Sequence, residues 1–149
     1  MAVKYYNEGS AYRFASKRII TRWLHAVAEA EGYRIGDINY IFCSSEYHRQ
    51  INIDYLGHDY FTDVITFDDS DRKGSRTVSG EIYIDVDTVT DNARIYHAIP
   101  ATEMRRVVVH GLLHLCGQGD KTPNAATVMR RKENRYLKML APLLAGKQS

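Results

Sequence analysis

Cysteine is scarce in this chain, with only Cys43 and Cys116. The two form no C-x-x-C pair and cannot supply a disulfide framework, so a reducing compartment is expected. No run of eighteen apolar residues occurs, and the opening MAVKYYNEGSAYRF lacks the apolar stretch of a secretory leader. A cytoplasmic protein without a membrane segment is the expectation. Neither sign of charge dominates: twenty Lys and Arg against eighteen Asp and Glu give a formal +2. That is below the level at which charge alone argues for nucleic acid. Internal repeats and low-complexity linkers are absent as well.

What the chain does have is ordinary globular material. Its 149 residues, 44% hydrophobic and 26% charged with eleven tyrosines, suit one folded domain spanning residues 1–149. The basic residues cluster: Arg13, Lys17, Arg18 and Arg22 early, Arg105 and Arg106 midway, and Arg130, Arg131, Lys132, Arg135 and Lys138 late. Each cluster reads as a solvated helix face that also suits a polyanion.

Periodicity sets out the elements. KYYNE is a short strand. Lys17 to Glu31 carries Ile19, Ile20, Trp23, Leu24, Val27 and Ala28 at helical spacing and stops at Gly32. DINYIFCSS alternates as a strand, Ser44 or Ser45 caps a helix to about Tyr55, and Gly57 ends it. Asp63 to Phe67 is a strand, Asp68 to Thr77 a turn or hairpin loop, and Gly80 to Asp85 another strand. Asp85 to His97 has helical character, and Pro100 separates it from an apolar helix, Ala101 to Cys116. Thr122-Pro123 opens a last helix to about Leu140. The mixed order predicts an α+β domain, with about five helices packed on a mixed sheet of about four strands.

The chemistry concentrates in HGLLHLCGQGD. On a helix, His110 and His114 stand one turn apart on the same face and can reach one ion. Gly117 can turn the chain back in a left-handed conformation, which brings Asp120 up as a third ligand. The pattern H-x-x-x-H-x-x-G-x-x-D is the metzincin ligand spacing with Asp in the last place, a zincin-like metal site on a helix. Two imidazoles and a carboxylate suit one Zn²⁺ per chain, with a position left for water. Cys116 points elsewhere around the helix and reads as a small buried hydrophobe. Gly111 occupies the place where H-E-x-x-H peptidases carry their general base. Phosphodiester hydrolysis accommodates that absence if cations stabilise the developing charge. A peptidase using another base stays open as an alternative, as does a protein in which zinc only stabilises the last helices.

These residues resemble the signature of the YbeY-type rRNA maturation endoribonucleases, H-G-x-L-H-L-x-G-Y-D-H, through His110, Gly111, Leu113, His114, Leu115 and Gly117. NIDYLGHDYFTDVITF is similar to that family's upstream segment through Tyr55, Asp59, Thr62, Asp63, Val64 and Phe67, and GEIYID to its following strand. The resemblance covers nearly the whole chain. It implies a zinc ion at His110, His114 and Asp120, cleavage of single-stranded RNA, maturation of the 3′ end of 16S rRNA, ribosome quality control and contacts with the small ribosomal subunit. Neither DNA nor membrane is implied as a partner. His110 and His114 are then catalytic through the ion, and Asp63 can orient a ligand histidine from behind. Three departures stand out: Asp120 for the family's third histidine, Gln118-Gly119 for Tyr-Asp, and Leu56 for an arginine. His58, Arg105 or Arg106 is the expected source of a replacement cation, with His58 itself on the surface. Thr62 reads as turn chemistry and Glu81 as a solvent-facing strand residue.

Overall fold

The computed structural model describes residues 2–71 and 75–146. In chain order the elements are β1 (Ala2–Glu8), α1 (Lys17–Ala30), β2 (Arg34–Cys43), α2 (Ser45–Leu56), β3 (Val64–Asp68), β4 (Thr77–Asp85), α3 (Val86–Ile95), α4 (Pro100–Leu115) and α5 (Pro123–Gly146). The strands form one mixed sheet in the order β1-β2-β4-β3, with the first two pairings parallel and β3 antiparallel to β4. Parallel neighbours need a long return. The segment holding α1 joins β1 to β2, and α2 with β3 lies between β2 and β4. The expected α+β domain of five helices on a four-stranded mixed sheet is what forms.

Helix α1 buries Ile20, Trp23, Leu24, Val27 and Ala28, the stripe its spacing predicts. Strand β2 departs from a half-buried alternation. Ile38, Tyr40 and Phe42 are buried, but so are Ile41 and Cys43, because this strand is central and covered on both faces. On one face the Tyr40 hydroxyl donates to the Val108 carbonyl of α4 at 2.8 Å. Strand β4 begins at Thr77, ahead of the expected Gly80, because pairing with β2 extends back to Arg34 across an irregularity between Ile35 and Ile38. The polar loop closes a β3–β4 hairpin as expected. On its flanks the Asp69 amide donates to the Ser79 carbonyl at 2.9 Å and the Ser79 amide to Ser70 Oγ at 3.0 Å. Its tip, residues 72–74, lies outside the described residues.

The caps read from sequence are in place: Ser44 Oγ accepts from the Tyr47 amide, and Thr122 Oγ1 from the Ala125 amide. Helix α5 runs past Leu140 to Gly146 with Pro142 inside it. Proline costs a helix a hydrogen bond to the residue four back, here Lys138 in an exposed turn, while Leu144 still packs against the core. Among the described residues no helix is long and apolar enough to cross a membrane.

Helix α4 lies across the sheet at close range, and Gly111 is the reason it can. A Cβ at that position would stand 2.8 and 3.0 Å from two carbons of fully buried Ile82 on β4. The residue that reads in sequence as a missing base faces into the sheet, where a glutamate has no room.

Candidate metal centre

Helix α4 ends in a Schellman motif. Gly117, at φ +90°, donates to the His114 carbonyl at 2.9 Å, and Gln118 donates to Leu113 at 2.9 Å. This turn carries the chain back along the helix. The Gln118 carbonyl then accepts from His114 Nδ1 at 2.9 Å, and Asp120 Oδ2 lies 3.4 Å from Nε2 of both His110 and His114. The three ligating groups sit within 4.8 Å of one another.

Each imidazole is oriented through its other nitrogen. Since a carbonyl only accepts, His114 Nδ1 carries its proton and leaves the Nε2 lone pair towards Asp120. His110 Nδ1 is 2.6 Å from Glu133 Oε2 on α5. Glu133 is buried, and burial pushes its carboxyl up. The hydrogen bond and charge of His110, with Arg106, outweigh that and hold it below the ordinary value. It is therefore an acceptor, and His110 also turns Nε2 to the cluster. Arg106 donates to Glu133 Oε1 at 3.1 Å and to Asn134 Oδ1 at 2.8 Å, and Arg130 reaches Glu133 Oε1 at 3.4 Å.

The two histidines titrate in opposite directions. Burial pulls His110 down, but Glu133, Asp120 and Asp63 together raise it above 6.5. For His114, burial and the neighbouring His110 charge prevail over Asp120, and its value falls below 6.5. This arrangement fits a divalent cation: two Nε2 lone pairs and one carboxylate converge, and both Nδ1 protons are taken by a carboxylate and a carbonyl. Histidine ligands of metals carry the same kind of support.

The cluster opens on a cleft of about 440 Å³. Thr62, Asp63, Val64, Thr66 and Asp68 form the facing wall, opposite His110, His114, Leu115 and Asp120. Val64, Thr66 and Asp68 share one side of β3, as alternate strand residues do. The buried Thr66 hydroxyl has no hydrogen-bond partner among the described residues. Asp63 lies in this wall, and its charge is felt at His110. The orienting contacts expected of it are made instead by Glu133 and Gln118. Among the described residues no lysine or arginine lines the cleft.

Of the expected substitutes for the arginine at Leu56, Arg106 is committed to Glu133 and Asn134. His58 is exposed and stacks on Tyr60, with ring centroids 5.2 Å apart. Cys116 is buried, as expected, in the core cluster. Glu133 escapes a reading of motifs because it sits among the basic residues of RRKEN. A signal was present: Met129, Glu133, Tyr136 and Leu140 share the buried stripe of α5, and a glutamate on such a stripe requires a partner.

The chain matches the family model described as endoribonuclease YbeY over residues 4–141. It is 44% identical to a Cytophaga hutchinsonii protein of that name over 91% of this chain and 93% of the relative. Identity to the Bacteroides thetaiotaomicron protein so named is 45% over 93% of this chain and 99% of the other. Among solved structures, the fold is similar to the solution structure of a Thermotoga maritima protein, with a TM-score of 0.68 at 23% identity, covering 98% and 93% of the two chains.

Proposed function

The chain belongs to the endoribonuclease YbeY family, and on that premise we propose that it is a zinc-dependent endoribonuclease acting on single-stranded RNA. In this reading its target is the 3′ end of 16S rRNA, met on the small ribosomal subunit in the cytoplasm. The observation that carries the reading is the convergence of His110 Nε2, His114 Nε2 and Asp120 Oδ2 in an open cleft.

His110, His114 and Asp120 hold the ion, and a donor set of two imidazoles and a carboxylate favours zinc. When bound, it supplies an activated water and polarises a phosphoryl oxygen. Glu133 and the Gln118 carbonyl keep both imidazoles in the ligating tautomer. Asp63, which lines the same cleft and whose charge acts on His110, would serve there as the proton acceptor for an attacking water. Exposed Arg130 and Arg131 on α5 attract the RNA backbone outside the cleft, a contribution that weakens with salt.

Metal analysis paired with an RNA cleavage assay tests this. The wild-type chain is expected to hold about one zinc and to cut unpaired RNA, whereas His114→Ala stays folded, loses the metal and does not cut. Equal cleavage by both proteins would remove the assignment.

A further inference from the structure

The cleft presents a difficulty for a polyanionic substrate. Among the described residues its walls carry Asp63, Asp68 and Asp120 and no lysine or arginine, so these walls offer phosphates little attraction beyond that of a bound cation. Immediately before its first wall residue, Thr62, stands an exposed aromatic surface: Tyr60 and Phe61 are 53% and 54% exposed, with Tyr55 at 68%. Folded chains rarely display several large rings together without a use for them.

This surface is built rather than loose. Helix α2 ends at Gly57 in the left-handed conformation, and the side chain of buried Asn52 donates to the Tyr60 carbonyl at 3.0 Å. Arg49 pairs with Asp59 at 2.7 Å and lies over the Phe61 ring at 5.8 Å. His58 stacks on Tyr60 with an interplanar angle of 19°, and the Tyr60 hydroxyl meets His58 Nδ1 at 3.0 Å. The rings are held in position while remaining open to solvent. Two residues of extended chain span at most about 7 Å, so Phe61 lies within a few base steps of Asp63 in the cleft wall.

We propose that Tyr60 and Phe61 form a stacking platform for unpaired nucleobases of the RNA flanking the scissile bond. Every base has a π-face, so such a platform grips single strands with little regard to sequence, and paired bases cannot reach it. It supplies through base contacts an affinity that the described acidic walls of the cleft do not offer to phosphates. The inference rests on the ribonuclease reading above and concerns how the same site selects its substrate.

The test is equilibrium binding of a labelled single-stranded oligoribonucleotide in the presence of a chelator, which prevents cleavage. Wild type is compared with Tyr60→Ala, Phe61→Ala and the conservative Tyr60→Phe, each checked for an unchanged melting temperature. The two alanine variants are expected to bind about ten- to a hundred-fold more weakly, and Tyr60→Phe nearly as wild type. An abasic strand should bind all four proteins alike, and the salt slope should not change. Alanine variants that bind as wild type would overturn the platform, as would equal losses on the abasic strand. If wild type cleaves RNA while either happens, the ribonuclease reading stands and only the platform falls. A wild-type chain that neither binds nor cuts RNA removes both.

Discussion

Two polar clusters of this molecule, one buried around Asp85 and one half-buried at the end of α4, use their histidines differently. Around Asp85, at the end of β4, every strong contact closes on the protein itself: Ser45 Oγ donates to Oδ1 at 2.7 Å, the Thr88 amide to Oδ1 at 3.0 Å, and Thr88 Oγ1 to Oδ2 at 2.8 Å. Nearby His48 is fully buried with Nε2 at 2.9 Å from the Tyr83 carbonyl. At the end of α4, by contrast, the outer nitrogens of His110 and His114 are tied down while the inner ones and the Asp120 carboxylate converge at the cleft. The first cluster joins α2, β4 and α3, and although its buried His48 Nδ1 has no hydrogen-bond partner among the described residues, no set of further ligands converges on it there. The other gathers three ligating atoms at one point, and that convergence, rather than burial or a single unpaired nitrogen, separates a ligand from a structural histidine.

Substitutions sharpen the contrast. The largest effect is expected from Asp120→Ala, which should reduce metal affinity by more than the ~10–100-fold typical of an outer partner, with the fold retained; calorimetric titration with zinc measures it. Asp85→Ala should do the reverse, leaving metal content unchanged while destabilising the fold by about 3 kcal/mol in urea denaturation, because Ser45 and Thr88 lose their acceptor. Next comes Glu133→Gln, expected to weaken zinc binding about ten-fold or more without abolishing it, since the amide oxygen can still accept from His110. Gly111→Ala should cost about 1–3 kcal/mol through the clash with Ile82, and combining it with Ile82→Val should recover part of the loss.

The smallest effects are expected in pH dependence, where His48 and His110 should differ in sign, with His114, lowered by burial, on the side of His48. Burial lowers His48 below 6.5, with the Tyr83 carbonyl and nearby carboxylates opposing it. The unfolded chain then takes the proton first. Its stabilising contribution is complete above about 6.5 and is lost as pH falls through the lowered folded value. His110 lies above 6.5 in the metal-free fold, so its contribution is complete below 6.5 and is lost as pH rises through the raised value. A metal must displace that proton, so zinc affinity should rise over the same interval. Melting curves and zinc titrations between pH 5 and 8, where histidines ordinarily change charge, measure both, and His48→Gln should flatten only the first.

Much of the centre was legible because it is local. His110, His114, Gly117 and Asp120 fall within three helical turns of chain, so helical spacing and one left-handed glycine suffice to bring the ligands together. The helices and the hairpin were legible for the same reason, each resting on short-range periodicity and caps. Strand β2 was misread as one-sided because its second cover depends on its neighbours in the sheet. For Gly111 the sequence showed the missing base but not the packing reason for the glycine, because Ile82, which supplies it, is 29 positions away on another element.

By itself, then, the sequence determined which residues could become ligands and the turn that gathers them, since both depend on backbone geometry over a few residues. Only the tertiary structure decided what surrounds them. Glu133 reaches His110 from 23 residues on, and β3 brings Asp63 and Thr66 to face the ligands across the cleft. Those placements follow from the packing of α4 against β3, β4 and α5, and long-range packing of that kind leaves no fixed spacing in the chain to read.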